Sequence, residues 1–229
     1  MRKLFKISLI LNVILICMVS NVYIFNIGAH QIIRRVLGIK IVAPESNDPN
    51  GLYSVYQKQS DVVMLGDSIT HHIEWDELLN RTNIVNRGIG SDTTIGMFNR
   101  LEFVYKVNPR LCFILAGIND FGFGATPNEV FISYKKIITD LREHNIIPII
   151  QSTLYANEKN YKSKSIEELN RSLKQYAENN GLDYIDLNMV LSEHKKLKKE
   201  FTYDGTHLTG KGYEVWGREV LKTLKKYGL

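Results

Sequence analysis

The chain has 229 residues, 44% of them hydrophobic, with 29 basic and 24 acidic side chains. That length suits one domain with an appendage. The net charge of +5 is concentrated at one end: Arg2, Lys3, Lys6, Arg34, Arg35 and Lys40 share the first 40 residues with no acid, and the other 23 basic residues face 24 acids, a net of −1. A folded part without a basic excess argues against a nucleic-acid-binding domain. Cys17 and Cys112 each sit in apolar runs, as small buried hydrophobes do, which argues against a disulfide framework. His71-His72-Ile73-Glu74 is the densest group of potential ligands. Adjacent histidines on a helix or strand point different ways, so no metal is expected.

From Ile7 to Ile27, 21 residues carry no charge and follow a basic start. About 20 such residues span a hydrocarbon core as a helix. Asn12, Ser20, Asn21 and Asn26 interrupt the stretch without breaking it. No Ala-x-Ala-like site follows, and Ile16 stands where a lipoprotein cysteine at position 17 would want a small residue. Residues 1–29 are therefore expected to be an uncleaved membrane anchor, with the catalytic part extracytoplasmic. Residues 30–51 read as a juxtamembrane connector, because Pro44 to Gly51 is rich in turn formers. The domain is expected over 52–229.

Strands and helices then alternate. Asp61–Leu65, Ile84–Ile89, Leu111–Ala116, Ile146–Ser152 and Leu182–Leu187 are short apolar runs, the pattern of buried parallel strands. An amphipathic helix is predicted from Asp92 to Tyr105. Thr126-Pro127-Asn128-Glu129 opens another, with Thr126 as N-cap, Pro127 at the first helical position and Glu129 completing a capping box. Ser165-Ile166-Glu167-Glu168 reads as a second capping box, and Thr209 caps a last helix running to Lys226. Lys195 to Lys199 reads as a solvated helix face or loop. The alternation predicts an α/β domain with a parallel sheet and helices on both faces.

Ligands in such sheets sit beyond the carboxyl ends of the strands. Gly66-Asp67-Ser68 follows the first strand, Asn86 to Asp92 the second, and Gly117-Ile118-Asn119-Asp120 the third. Asp204-Gly205-Thr206-His207 precedes the last helix. These residues permit acyl transfer, with Ser68 attacking, His207 moving the proton and Asp204 holding the other imidazole nitrogen. Oxyanion donors are available from the Ser68 N–H, the turn at Gly90-Ser91 and the Asn119 amide. Each piece has a plainer reading: Ser68 as a helix cap, His207 as a surface histidine, Asn119 as a turn residue. A dinucleotide loop at Gly88-Ile89-Gly90-Ser91 lacks its third glycine.

In order and context the four segments resemble the SGNH, or GDSL-type, esterase and lipase family over about residues 60–215. The resemblance implies a three-layer α/β/α, flavodoxin-like fold with five parallel strands ordered 2-1-3-4-5. It implies Ser68 as nucleophile, Asp204 and His207 as triad partners, Asn119 as oxyanion donor, and no cofactor. The family's oxyanion glycine falls on Ser91. Either Ser91 sits in an ordinary conformation and still donates, or Gly90 takes the role.

The expectation is a serine esterase, anchored in the membrane by its N-terminal helix. Its substrate would be a small-molecule or glycan ester, with a short acyl group such as acetyl on a cell-envelope carbohydrate leading. A lysophospholipase or thioesterase would need an apolar channel, for which Tyr155, Phe121 and Phe123 are candidates. A binding module that lost catalysis is the rival of another class, and acyl transfer to a sugar or lipid shares the same acyl-Ser68 intermediate.

Overall fold

A computed structural model describes residues 49–157 and 163–229. The expected anchor over 1–29 and the connector up to residue 48 lie outside the described residues. Among those described, no helix is long and apolar enough to cross a membrane. Helix α1, Pro49–Val55, runs through the boundary drawn at 51/52.

Five parallel strands form the sheet: β1 Val62–Gly66, β2 Ile84–Gly88, β3 Leu111–Leu115, β4 Ile147–Gln151 and β5 Asp183–Ile185. Their order is β2-β1-β3-β4-β5, as the resemblance implies. Met64 pairs with Asn86 on one side and Phe113 on the other. The chain steps outward from β1 to β2 and then returns to β3 on the opposite side of β1. That reversal opens a crevice at the carboxyl ends of β1 and β3.

Alternate residues of each strand face opposite layers. Val62, Met64, Leu111 and Phe113 pack in one core cluster with Trp75, Trp216, Val220 and Leu224. Val63, Leu65, Cys112 and Ile114 pack in the other with Met97, Ile137, Ile138, Leu141 and Leu173. The layers are thus α3 (Trp75–Leu79) and α10 (Gly210–Lys226) on one face. On the other face lie α4 (Thr94–Asn99), α7 (Pro127–Glu143) and α8 (Ser163–Asn180). Cys112 is a free, buried thiol in β3.

Helix α7 starts as its sequence predicts: Thr126 and Glu129 satisfy each other's backbone N–H groups in a complete capping box. Thr209 likewise caps α10, its side chain accepting from the Gly212 N–H. Two expectations are corrected. Ser165 caps nothing, because α8 already runs from Ser163 and leaves that residue inside the helix. The single helix expected over Asp92–Tyr105 is two short ones, α4 and α5 (Glu102–Tyr105). The break falls at Arg100, with φ −121°, which turns its guanidinium inward. There Nε donates to Asp92 Oδ2 at 2.7 Å and Nη2 to the Gly66 carbonyl at 3.1 Å. Lys195 to Lys199 is the loop alternative: a small hairpin pairs Ser192–Glu193 with Lys196–Leu197, and a 3-10 turn follows from Lys199.

Candidate active site

At the end of β1 the sheet runs directly into α2, Ser68–His71. Asp67 is its N-cap, with Oδ1 accepting from the Ile69 N–H at 2.9 Å. Ser68 is the first helical residue, where a backbone N–H has no intrahelical acceptor. The short helix is pinned from outside: the Tyr213 hydroxyl donates to the Ile69 carbonyl at 2.7 Å, and Trp75 Nε1 donates to that of Thr70 at 3.0 Å. A Cβ on Gly88 would come within 2.5 Å of the His71 backbone nitrogen, so glycine there lets β2 approach α2. Asn86 continues the join, donating to the carbonyls of Thr70 and Ile73 at 3.0 and 2.9 Å.

The segment before α10 returns to this edge. Thr202 and Leu208 form an antiparallel bridge, and between them Asp204 organises the turn. Its Oδ1 accepts from the Thr206 and His207 N–H groups at 2.8 and 2.7 Å. Its Oδ2 lies 2.6 Å from His207 Nδ1, and His207 Nε2 lies 2.9 Å from Ser68 Oγ. With Nδ1–H donating to the carboxylate, Nε2 is left to accept from the serine hydroxyl. Burial pulls the Asp204 carboxyl upward, but the bonds from the His207 ring and from the His207 and Thr206 N–H groups outweigh it, holding it below the usual range. Asn157 braces the turn, its N–H donating to the Gly205 carbonyl at 2.7 Å.

The other two strand ends carry Gly90, Ser91 and Asn119, from which oxyanion donors were expected. Ser91 has φ 61°, while Gly90 is not in the left-handed region. The ordinary conformation expected for Ser91 is corrected: serine itself occupies the left-handed region that favours glycine. Gly117, with φ 110°, turns β3 into α6, Ile118–Gly122. Asn119 is half-buried there, and its Nδ2 donates to the Asp92 carbonyl at 2.9 Å. An amide NH₂ carries two hydrogens, so one remains to donate elsewhere.

Three carboxyls lie buried behind this edge. Burial, with added repulsion from Asp92 and Asp120, pushes Asp67 up to about 7 against the Ile69 N–H bond. Burial raises Asp92 despite Arg100, and raises Asp120 despite its bonds from Thr94. Asp67 has a role the motif did not assign it, capping the nucleophile helix. Its signal was present, since an aspartate between a strand end and a helix is an N-cap by type and place.

Two aromatic neighbours of His207 were not foreseen. The His72 ring lies 5.0 Å from it between centroids at 36°, and Tyr203 stacks at 5.9 Å and 15°. His72 follows Ser68 by one helical turn, so the spacing could have placed both on one face. Of the three candidate channel residues, Phe121 and Tyr155 are half-buried and packed against the core, and Phe123 is half-buried outside it. Among the described residues no group of three or more His, Cys, Asp or Glu could hold a metal ion.

A sequence model of the GDSL-like lipase/acylhydrolase family matches residues 64–215. The chain is 27% identical over 162 residues to an N-acylneuraminate cytidylyltransferase of Streptococcus agalactiae serotype III (strain NEM316), covering 69% of this chain and 37% of that one. It therefore spans little more than a third of that relative's length. It is 26% identical over 173 residues to the platelet-activating factor acetylhydrolase IB subunit alpha1 of Bos taurus, covering 68% of this chain and 71% of that one. The crystal structure of a GDSL-like lipase from Bacteroides thetaiotaomicron VPI-5482 superposes with a TM-score of 0.69 at 23% identity, over 78% of this chain and 95% of that one. At that identity the likeness is one of fold.

Proposed function

The chain belongs to the GDSL-like lipase/acylhydrolase family, and from that premise we propose that it is an ester hydrolase, a serine esterase working through an acyl-Ser68 intermediate. The observation that supports this best is the relay of 2.9 and 2.6 Å from Ser68 through His207 to Asp204. His207 Nε2 takes the hydroxyl proton as Ser68 Oγ bonds to the ester carbonyl carbon. The oxyanion is met by the N–H groups of Ser68 and Ser91 and by Asn119. The carbon–oxygen bond to the alcohol then breaks, and the alcohol leaves with the proton from His207. Water, deprotonated by the same imidazole, releases the acid.

The substrate we favour is a short acyl ester, such as acetyl, on a carbohydrate. The bovine relative is an acetylhydrolase subunit, which supports the acetyl group, and the streptococcal relative is a cytidylyltransferase of N-acylneuraminate, which supports a carbohydrate. Packing of Phe121 and Tyr155 against the core favours short acyl groups over a lipid chain. We place the protein at a membrane, held by the uncharged stretch from Ile7 to Ile27 with its domain extracytoplasmic; recovery in the soluble fraction after cell lysis would count against that.

The test is turnover of p-nitrophenyl acetate, butyrate and octanoate by the full chain beside Ser68→Ala. Acetate should be the best substrate, and the variant should lose at least about a thousand-fold. Rising preference with chain length would move the substrate to a lipid or thioester. Turnover retained in Ser68→Ala would remove that residue from the nucleophile role.

A further inference from the structure

His207 is the base of the proposed reaction, and two rings lie beside its own. Tyr203 stacks at 5.9 Å between centroids, and the His72 ring lies at 5.0 Å. His72 is held there by the backbone of the nucleophile helix: it is the C-cap of α2, and its N–H donates to the Ser68 carbonyl at 3.1 Å. The same four-residue helix thus carries Ser68 at one end and positions His72 at the other.

Two imidazolium charges at such a separation repel, and interacting groups of this kind take protons in separate steps that belong to the pair. The two rings are not equivalent. His207 has a carboxylate partner at 2.6 Å, whereas among the described residues none hydrogen-bonds the His72 side chain. The groups facing His72 are His207 and Asp204 from the loop before α10, and His71 from its own helix. His71 is itself occupied, with Nδ1 at 3.0 Å from the Gly88 carbonyl.

We propose that His72 and His207 act as a pair in which only one ring is charged at a time, with His72 a neutral positioning residue facing the imidazolium that His207 becomes when it takes the Ser68 proton. Burial first, then the neighbouring His207 and His71, hold the His72 ring below the ordinary histidine range against a smaller opposite pull from Asp204. A permanent charge at position 72 would deny His207 its proton. It would therefore extend the neutral, base-competent form of His207 to lower pH.

The inference rests on the esterase reading for its kinetic arm only, so its two arms are read separately. In the full chain with labelled histidines, the imidazole signal lost in His72→Asn should titrate below the ordinary range. It should move up by about half a pH unit or more when His207 is replaced by asparagine, since coupling between two titrating groups is reciprocal. An identical midpoint with and without His207 would overturn the proposal. In the kinetic arm, His72→Lys should shift the acid limb of kcat/KM for p-nitrophenyl acetate to lower pH by about half to one unit. A limb coincident with that of the unmodified chain would overturn the kinetic role. Absence of any ester turnover in the unmodified chain would count against the esterase reading and leave the imidazole titration decisive for the pair.

Discussion

The side-chain amide of Asn119 donates to the backbone carbonyl of Asp92 at 2.9 Å, tying the turn after β2 to the helix after β3. The bond joins the two segments from which oxyanion donors are proposed. It also fixes the amide so that its second hydrogen points in a constrained direction. Asn119→Ala should lower kcat by about a hundred- to thousand-fold with little change in KM. A loss confined to KM, measured in the same p-nitrophenyl acetate assay, would contradict the oxyanion role.

Ser91 holds a φ of 61° that L side chains adopt at a cost. Ser91→Gly relieves that cost but loosens the unfolded chain, so stability should change by less than about 1 kcal/mol. Activity should be retained, since the backbone N–H is kept. Ser91→Val, with a branched Cβ in the same conformation, should destabilise by roughly 1–2 kcal/mol and lower kcat. Denaturant unfolding beside the ester assay checks both variants.

Asp67 is fully buried, with its carboxyl pushed up to about 7. An acid whose folded value exceeds its unfolded one binds more protons when folded, so the stability it confers is present below about pH 4 and is lost as pH rises toward and through 7. Asp67→Asn keeps an oxygen to accept from Ile69 and removes the titration. Relative to the unmodified chain, the variant should gain stability between pH 5 and pH 8, on the order of 2 kcal/mol. Unfolding curves at the two pH values that stay parallel would show that Asp67 is ionised throughout.

Gly117→Ala should be costly on two grounds. The residue sits at φ 110°, and a Cβ there would lie 2.9 Å from both Leu169 Cδ2 and Thr153 Oγ1. A loss of about 2 kcal/mol or more is expected. Because the strain falls two residues before Asn119, kcat should fall as well in the protein that remains folded.

The sheet was legible because its strands are unbroken apolar runs such as Val62–Leu65, and α7 because Thr126 and Glu129 make a local, self-contained cap. The hydrogen-bonded chain of Ser68, His207 and Asp204 was legible because the order of their short segments, each weak alone, resembles that of a known family. Arg100 was not. Its guanidinium leaves the helical pattern for a carboxylate and a carbonyl that only the folded chain supplies, and the helix breaks there. His72 was read for metal binding and set aside, because its neighbour His207 arrives from the far end of the chain. The conformation of Ser91 was out of reach for a related reason: local preference argued for glycine, and the surrounding loop overrode it.

Cys112 lies wholly inside β3, and burial pushes its thiol well above the ordinary range. Among the described residues it is the single cysteine, so nothing in that part of the fold is held together by sulfur chemistry. The domain should therefore keep its shape under oxidising and reducing conditions alike, and should ignore alkylating reagents while folded. A cysteine introduced at the rim, at Tyr203 for instance, would be the one reactive thiol of the domain and could carry a fluorophore that watches the approach of substrate.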